Sequence, residues 1–228
     1  MSFILNIDTA TESASIALAR EGEVLASMEN EDQKDHAAWI HTAIRELMQQ
    51  GNCSMQQLQA IAVTAGPGSY TGLRVGMATA KGLCYSLQIP LITESTLKMM
   101  AVAAIEQISP QGDITGTLFC PMIDARRMEV FTAVYDHLLD EVLTPQPMIL
   151  HGNSFGELLP VKPMVFFGSG SKKFRELMHS PAAHFADVRH HARHLSRLSW
   201  PRFQAGNFED PAYAEPAYLK EFHTHTKK

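Results

Sequence analysis

The chain has 228 residues, 45% of them hydrophobic and 19% charged, with a formal net charge of −5. That length suits one large domain or two small lobes. The apolar content excludes disorder, and the acidic balance excludes a protein that grips nucleic acid alone, because such domains carry an overall basic footprint.

The opening Met1-Ser2-Phe3-Ile4-Leu5 lacks the basic start of a secretion signal, and Asn6 and Asp8 interrupt its apolar run. No stretch reaches the ~18 apolar residues of a membrane span, so a soluble cytoplasmic protein is expected. Phe3 to Ile7 reads as a buried strand ending at Asp8. Thr9 to Glu12 is a polar turn, Ser15 to Ala19 returns, Glu21-Gly22-Glu23 signals a tight turn, and Val24 to Met28 makes a third strand. A helix follows, with Asp35 as its N-cap and Gly51 just past its end; Ala37, Ile40, Ala43, Ile44, Leu47 and Met48 fall on one face. Gln59 to Thr64 is a short strand running into Gly66-Pro67-Gly68, which opens a second helix to about Leu87. Leu91 to Thr93 is another strand, and Ser95 can cap a third helix through Ile105. Cys53, Cys84 and Cys120 are odd in number, far apart and without a CxxC pair, which points to reduced buried thiols.

The second half repeats this logic. Leu118 to Ile123 is an apolar strand ending at Asp124, Ala125-Arg126-Arg127 turns, and Glu129 to Tyr135 returns. Met164 to Phe167 then leads into Gly168-Ser169-Gly170 and a helix containing Phe174 and Leu177. Two copies of hairpin-with-aspartate followed by strand, glycine loop and helix predict two similar lobes facing each other.

In such a fold the turns after Asp8 and Asp124 point into the cleft between lobes. Where that cleft binds ATP, small turn residues let backbone N–H groups approach phosphates, and an aspartate orients a metal-bound water. Here Thr9-Ala10-Thr11 and Ala125-Arg126-Arg127 contain no glycine, so Cβ atoms hinder close approach. The favoured reading has both aspartates bonding turn backbone. The Gly66 loop fits no P-loop and fails the dinucleotide fingerprint, because Thr71 stands where the third glycine belongs. Gly72, Gly76 and Ala80, four apart, give the second helix a smooth stripe that could face the sheet or another subunit.

The run Gly66 to Gly76 (GPGSYTGLRVG), the opening Ile7-Asp8-Thr9-Ala10-Thr11, the central Ile123 to Phe131 (IDARRMEVF) and the tail Glu215-Pro216-Ala217-Tyr218-Leu219-Lys220 together resemble the TsaB (YeaZ) family, glycoprotease-like proteins that are not peptidases. The resemblance implies an α/β, actin/Hsp70-like (ribonuclease H-like) duplicated fold, with two lobes, each a mixed sheet flanked by helices. We set these lobes at residues 1–105 and 106–228, the final helix packing back towards the first. It implies a role in attaching a threonylcarbamoyl group to the adenosine after the anticodon in tRNAs. The chain would act as a non-catalytic subunit that binds the paralogous transferase TsaD, with the ATPase TsaE, and meets tRNA through that complex. Whether it pairs with itself as a homodimer when its partner is absent is left open. No resident cofactor is implied, with ATP or ADP at a shared interface left open.

Asp8, Thr9, Gly66, Gly68, Asp124, Gly168 and Gly170 would then be a vestigial nucleotide cleft. The two metal-binding histidines of TsaD fall on Glu94 and Lys98 here, and an ammonium has no lone pair for a metal. No GxSxG elbow, HExxH motif or Cys with a supporting His motif is present. His190 and His194 have chelating spacing, but Arg189, His191 and Arg193 crowd them with positive charge, while His36 and His41 are poorly spaced and His223 and His225 lie in the polar tail. Arg189, Arg193 and Arg197 form a helical stripe whose default is a solvated face. The resemblance implies that the partner surface is the first two helices. Trp39, Ile40, Ala43 and Leu47 on the first, with Gly72, Gly76 and Ala80 on the second, are its expected contact residues. The competing reading is an actin-like ATPase or small-molecule kinase using Asp8 and Asp124.

Overall fold

A computed structural model describes residues 1–32 and 36–220; the expected Asp35 cap, His223 and His225 lie outside them. Strands β1 (Phe3–Asp8), β2 (Ala14–Arg20) and β3 (Glu23–Asn30) form an antiparallel meander. Helix α1 (His36–Gln50) leads to β4 (Leu58–Gly66), α2 (Tyr70–Leu87), β5 (Leu91–Ser95) and α3 (Thr96–Ile108). The chain then repeats the meander as β6 (Leu118–Asp124), β7 (Glu129–Tyr135) and β8 (Glu141–Ile149). It continues through β9 (Met164–Phe167), α4 (Ser171–Arg175), β10 (Ala183–Phe185) and α5 (Ala192–Gln204).

The two sheets have one topology. The first runs β3-β2-β1-β4-β5 and the second β8-β7-β6-β9-β10, with β4 parallel to β1 and β5, and β9 parallel to β6 and β10. This is the duplicated actin/Hsp70-like architecture. Side-chain alternation builds it in layers. Leu5, Ile7, Ile61 and Val63 face α1 and α2, where they meet Ile40, Leu47 and Met77. Ile4, Ala60 and Ala62 face the other way, onto Met99 and Val102 of α3 and Leu195 and Leu198 of α5. The opposite side of α3 (Leu97, Met100, Ala101, Ala104) packs on Phe119, Tyr135 and Phe167 of the second sheet. So α3 lies between the sheets, and α5 closes on the first one.

Helix starts follow local chemistry. The Ser69 hydroxyl accepts from the Gly72 N–H at the head of α2, and the Ser95 hydroxyl accepts from the Lys98 N–H at the head of α3. The sequence reading missed β8 and β10. It also overextended α4, which ends at Arg175 and leaves Leu177 outside. The three thiols are buried and free, and burial pushes Cys84 up to about 11 and Cys120 up to about 12. Among the described residues no helix is long and apolar enough to cross a membrane.

Candidate functional site: the two hairpin turns and the cleft between them

Asp8, at the end of β1, is 1% exposed. Its Oδ1 accepts from the Ala10 N–H at 3.1 Å and from the Thr64 hydroxyl at 2.7 Å. A buried carboxylate persists only with such donors. The turn is then gripped by the head of α2. The Ser69 N–H donates to the Ala10 carbonyl at 2.7 Å, and the Thr9 hydroxyl donates to the Gly72 carbonyl at 2.7 Å. A Cβ at Gly68 would overlap the Ala10 carbonyl oxygen, and one at Gly72 the Thr9 carbonyl oxygen. Both glycines therefore serve backbone-to-backbone contact within the chain.

Asp124 makes the same turn with different support. Its Oδ1 accepts from the Arg126 N–H at 2.6 Å and from Lys173 Nζ at 3.0 Å. Partial burial opposes ionisation, but the Lys173 ammonium and the Arg126 N–H outweigh it and hold this carboxyl below its usual range. Lys173 also donates to the Arg127 and Glu129 carbonyls. Gly168, at φ +89°, lets the loop after β9 pass the Met122 carbonyl; the Gly170 N–H donates to that same oxygen.

The C-terminal tail joins the two turns. The Ala217 N–H donates to the Ala65 carbonyl at 2.7 Å, and a Cβ on Gly66 (φ +123°) would lie 2.8 Å from the Ala217 carbonyl. Tyr218 packs on Tyr70 with ring centroids 5.4 Å apart. Lys220 pairs with Glu129 at the start of β7. The four stretches that carried the sequence resemblance thus converge on one place. A cavity of about 870 Å³ opens between the lobes there, with Glu12, Asp124, Gly168, Ser169, Lys172 and His190 on its walls. A second, of about 510 Å³, is bounded by Gly68, Tyr70, Arg126 and Lys220.

The expected partner-contact residues need correction. Ile40, Ala43, Leu47, Gly72, Gly76 and Ala80 are all buried in the chain's own core, and Trp39 is half-buried against the same core. The glycine stripe faces inward: a Cβ at Gly76 would meet the Thr9 hydroxyl. The residues that α1 and α2 present to solvent include Ala38, His41, Thr42 and Arg45, and Arg74, Ala78, Gly82 and Tyr85.

Glu94 pairs with Arg202 at 3.3 Å. The arginine stripe is not one helical face, because Arg189 precedes α5. Arg189 pairs with Glu31 and Arg197 with Glu106. His190 Nε2 lies 2.9 Å from the Thr11 hydroxyl and 3.6 Å from Asp8 Oδ2. His191 and His194 cap α5, each using Nδ1 as an acceptor for a backbone N–H. Among the described residues no three His, Cys, Asp or Glu side chains are grouped to hold a metal. Sequence reasoning missed the Thr64, Lys173 and Lys220 contacts; only Lys220 lay in a motif.

A family model described as TsaD, tRNA N6-adenosine threonylcarbamoyltransferase, matches residues 23–147, more than half of the chain. A Bacillus subtilis tRNA threonylcarbamoyladenosine biosynthesis protein TsaB is 33% identical over 180 residues, covering 77% of this chain and 74% of that protein. The Escherichia coli TsaB is 36% identical over 132 residues, 58% of this chain and 54% of its own length. The solved structure of YeaZ from Pseudomonas aeruginosa superposes with a TM-score of 0.77 at 28% identity, covering 96% of this chain and all of that one. Another P. aeruginosa structure, described as similar to the peptidase YeaZ, gives 0.79 at 26% identity with the same coverage. The chain belongs to the TsaB (YeaZ) family, within the wider group that the TsaD model describes.

Proposed function

We propose that this chain serves the biosynthesis of threonylcarbamoyladenosine in tRNA as a non-catalytic subunit. It binds a paralogous TsaD-like transferase, in an assembly with a TsaE-like ATPase, and meets tRNA through that complex. The pathway is supported by the names of its relatives. The scaffold role is supported most by one observation: Gly68 and Gly72 are occupied by the carbonyls of Ala10 and Thr9. In a working nucleotide site such glycines leave room for a phosphate. The Glu94–Arg202 pair, where the transferase carries a metal-binding histidine, agrees with this reading.

The partner surface is the exposed side of α1 and α2. Small side chains at Ala38, Thr42, Ala78 and Gly82 allow close helix approach, and Arg45, Arg74 and Tyr85 supply the residue types favoured as interface anchors. Gly82→Arg should leave the protein folded by circular dichroism and weaken binding to the sister subunit at least tenfold, about 1.4 kcal/mol. Normal binding by Gly82→Arg and Ala78→Arg alike would remove this surface from the account.

A second reading, an actin-like ATPase, is favoured by the cavity of about 870 Å³ beside Asp124 and Lys172. Thermal unfolding with Mg-ATP separates the two. A specific ligand at 100 times its dissociation constant adds about 2.7 kcal/mol, and the scaffold reading expects no shift for the isolated chain.

A further inference from the structure

The two lobes are joined by α3, wedged between the sheets, and by α5 against the first sheet. A third connection is the tail, which crosses from lobe to lobe beside the smaller cavity. It is fastened to the first lobe at successive points. The Glu209 N–H donates to the Leu91 carbonyl at 2.9 Å. Lys81 Nζ on α2 donates to the Ala214 carbonyl at 3.0 Å and the Ala212 carbonyl at 3.4 Å. The Ala217 N–H donates to Ala65, and Tyr218 stacks near Tyr70. After these points, Lys220 reaches the second lobe and pairs with Glu129 Oε2.

Glu129 is no isolated surface acid. Its backbone carbonyl accepts from Lys173, the same ammonium that holds Asp124, and it also accepts from the Ala125 N–H. Lys220 is therefore tied to the second hairpin turn, whose residue Asp124 lines both cavities.

We propose that residues 217–220 are a clasp. The Lys220–Glu129 pair fastens the lobes together beside the smaller cavity, and its release lets them swing about α3 and α5. This inference does not rest on the proposed function and applies to the isolated chain. The magnitude suits a switch. The Lys220 side chain is 49% exposed and Glu129 18%, so the pair is partly screened and easily broken. It biases the closed state by a small factor without locking it, and salt weakens the bias.

The test is a distance distribution between the lobes. The native cysteines are buried, so spin labels on Ser27→Cys and Thr144→Cys, both at exposed positions on opposite lobes, report selectively. In the full chain at low salt, Lys220→Ala and Glu129→Gln should each raise the open population two- to fivefold. High salt should do the same to the parent and little to either variant. The charge swap Lys220→Glu with Glu129→Lys should restore the parent distribution. An unchanged distribution in both single variants overturns the clasp. So does a change that neither salt reproduces nor the swap reverses, since that assigns the effect to lost packing.

Discussion

The two hairpin turns are built on one plan and supported differently. Each aspartate accepts from the N–H two residues on. Asp8 is buried, bonded by Thr64 from the neighbouring strand and covered by the head of an 18-residue helix. Asp124 is exposed, bonded by Lys173 from a five-residue helix. A buried neutral donor fixes one geometry, whereas a flexible ammonium tolerates movement. The first turn is thus frozen into the core, and the second borders the open cleft. Duplication of a fold conserves the hydrogen-bond plan while leaving each lobe free to change what surrounds it.

The glycine loops give the largest expected contrast. Gly68→Ala would press its methyl on the Ala10 carbonyl, which is held by the Ser69 N–H. It should cost about 3 kcal/mol, measured by denaturant unfolding. Its counterpart Gly170→Ala meets mainly the Val130 side chain, which can turn aside, so a cost of about 1 kcal/mol is expected. Equal costs would break the comparison.

Thr64→Val removes a donor from the buried Asp8 and should cost about 2 kcal/mol. Asp124→Asn, at the exposed turn, should cost about 0.5 kcal/mol.

The helix that closes on the first lobe adds a pH dependence. Burial, aided by Arg193, His191 and His190, pushes His194 down to about 3, and its neutral Nδ1 accepts the His191 N–H. The unfolded chain binds the proton more readily. This contribution is therefore complete above about pH 6.5 and is lost as pH falls towards 3, by up to about 1.4 kcal/mol per unit. Melting temperature should drop on acidification, and His194→Gln should flatten that slope. The one expected gain is at Gly82, where a Cβ meets nothing within 4 Å. Gly82→Ala should stabilise α2 by about 1 kcal/mol, against losses at Gly72 and Gly76.

Much of this was legible in the sequence. The first meander, the β6–β7 hairpin, the glycine loops and the Ser95 cap all follow from period and turn chemistry, and the repeat of Asp8 at Asp124 disclosed the duplication. Other features were not legible, for identifiable reasons. The strand β8 carries Pro145 and Pro147, which read as loop because proline is tolerated only at a sheet edge. Helical spacing marked Gly72, Gly76 and Ala80 as one stripe but could not say which way it faced; the Thr9 carbonyl and hydroxyl that settle this lie more than 60 positions away in sequence. The Lys173 and Lys220 contacts likewise join distant segments through single flexible side chains, which leave no periodic trace.

In the proposed role this chain supplies a surface and no chemistry. Nucleoside analysis of tRNA after incubation with purified components tests it most directly. No threonylcarbamoyladenosine is expected from the chain alone, full formation with the sister subunits present, and loss of formation when the chain is left out. Formation by the highly purified chain alone, abolished by Asp8→Ala, would contradict it.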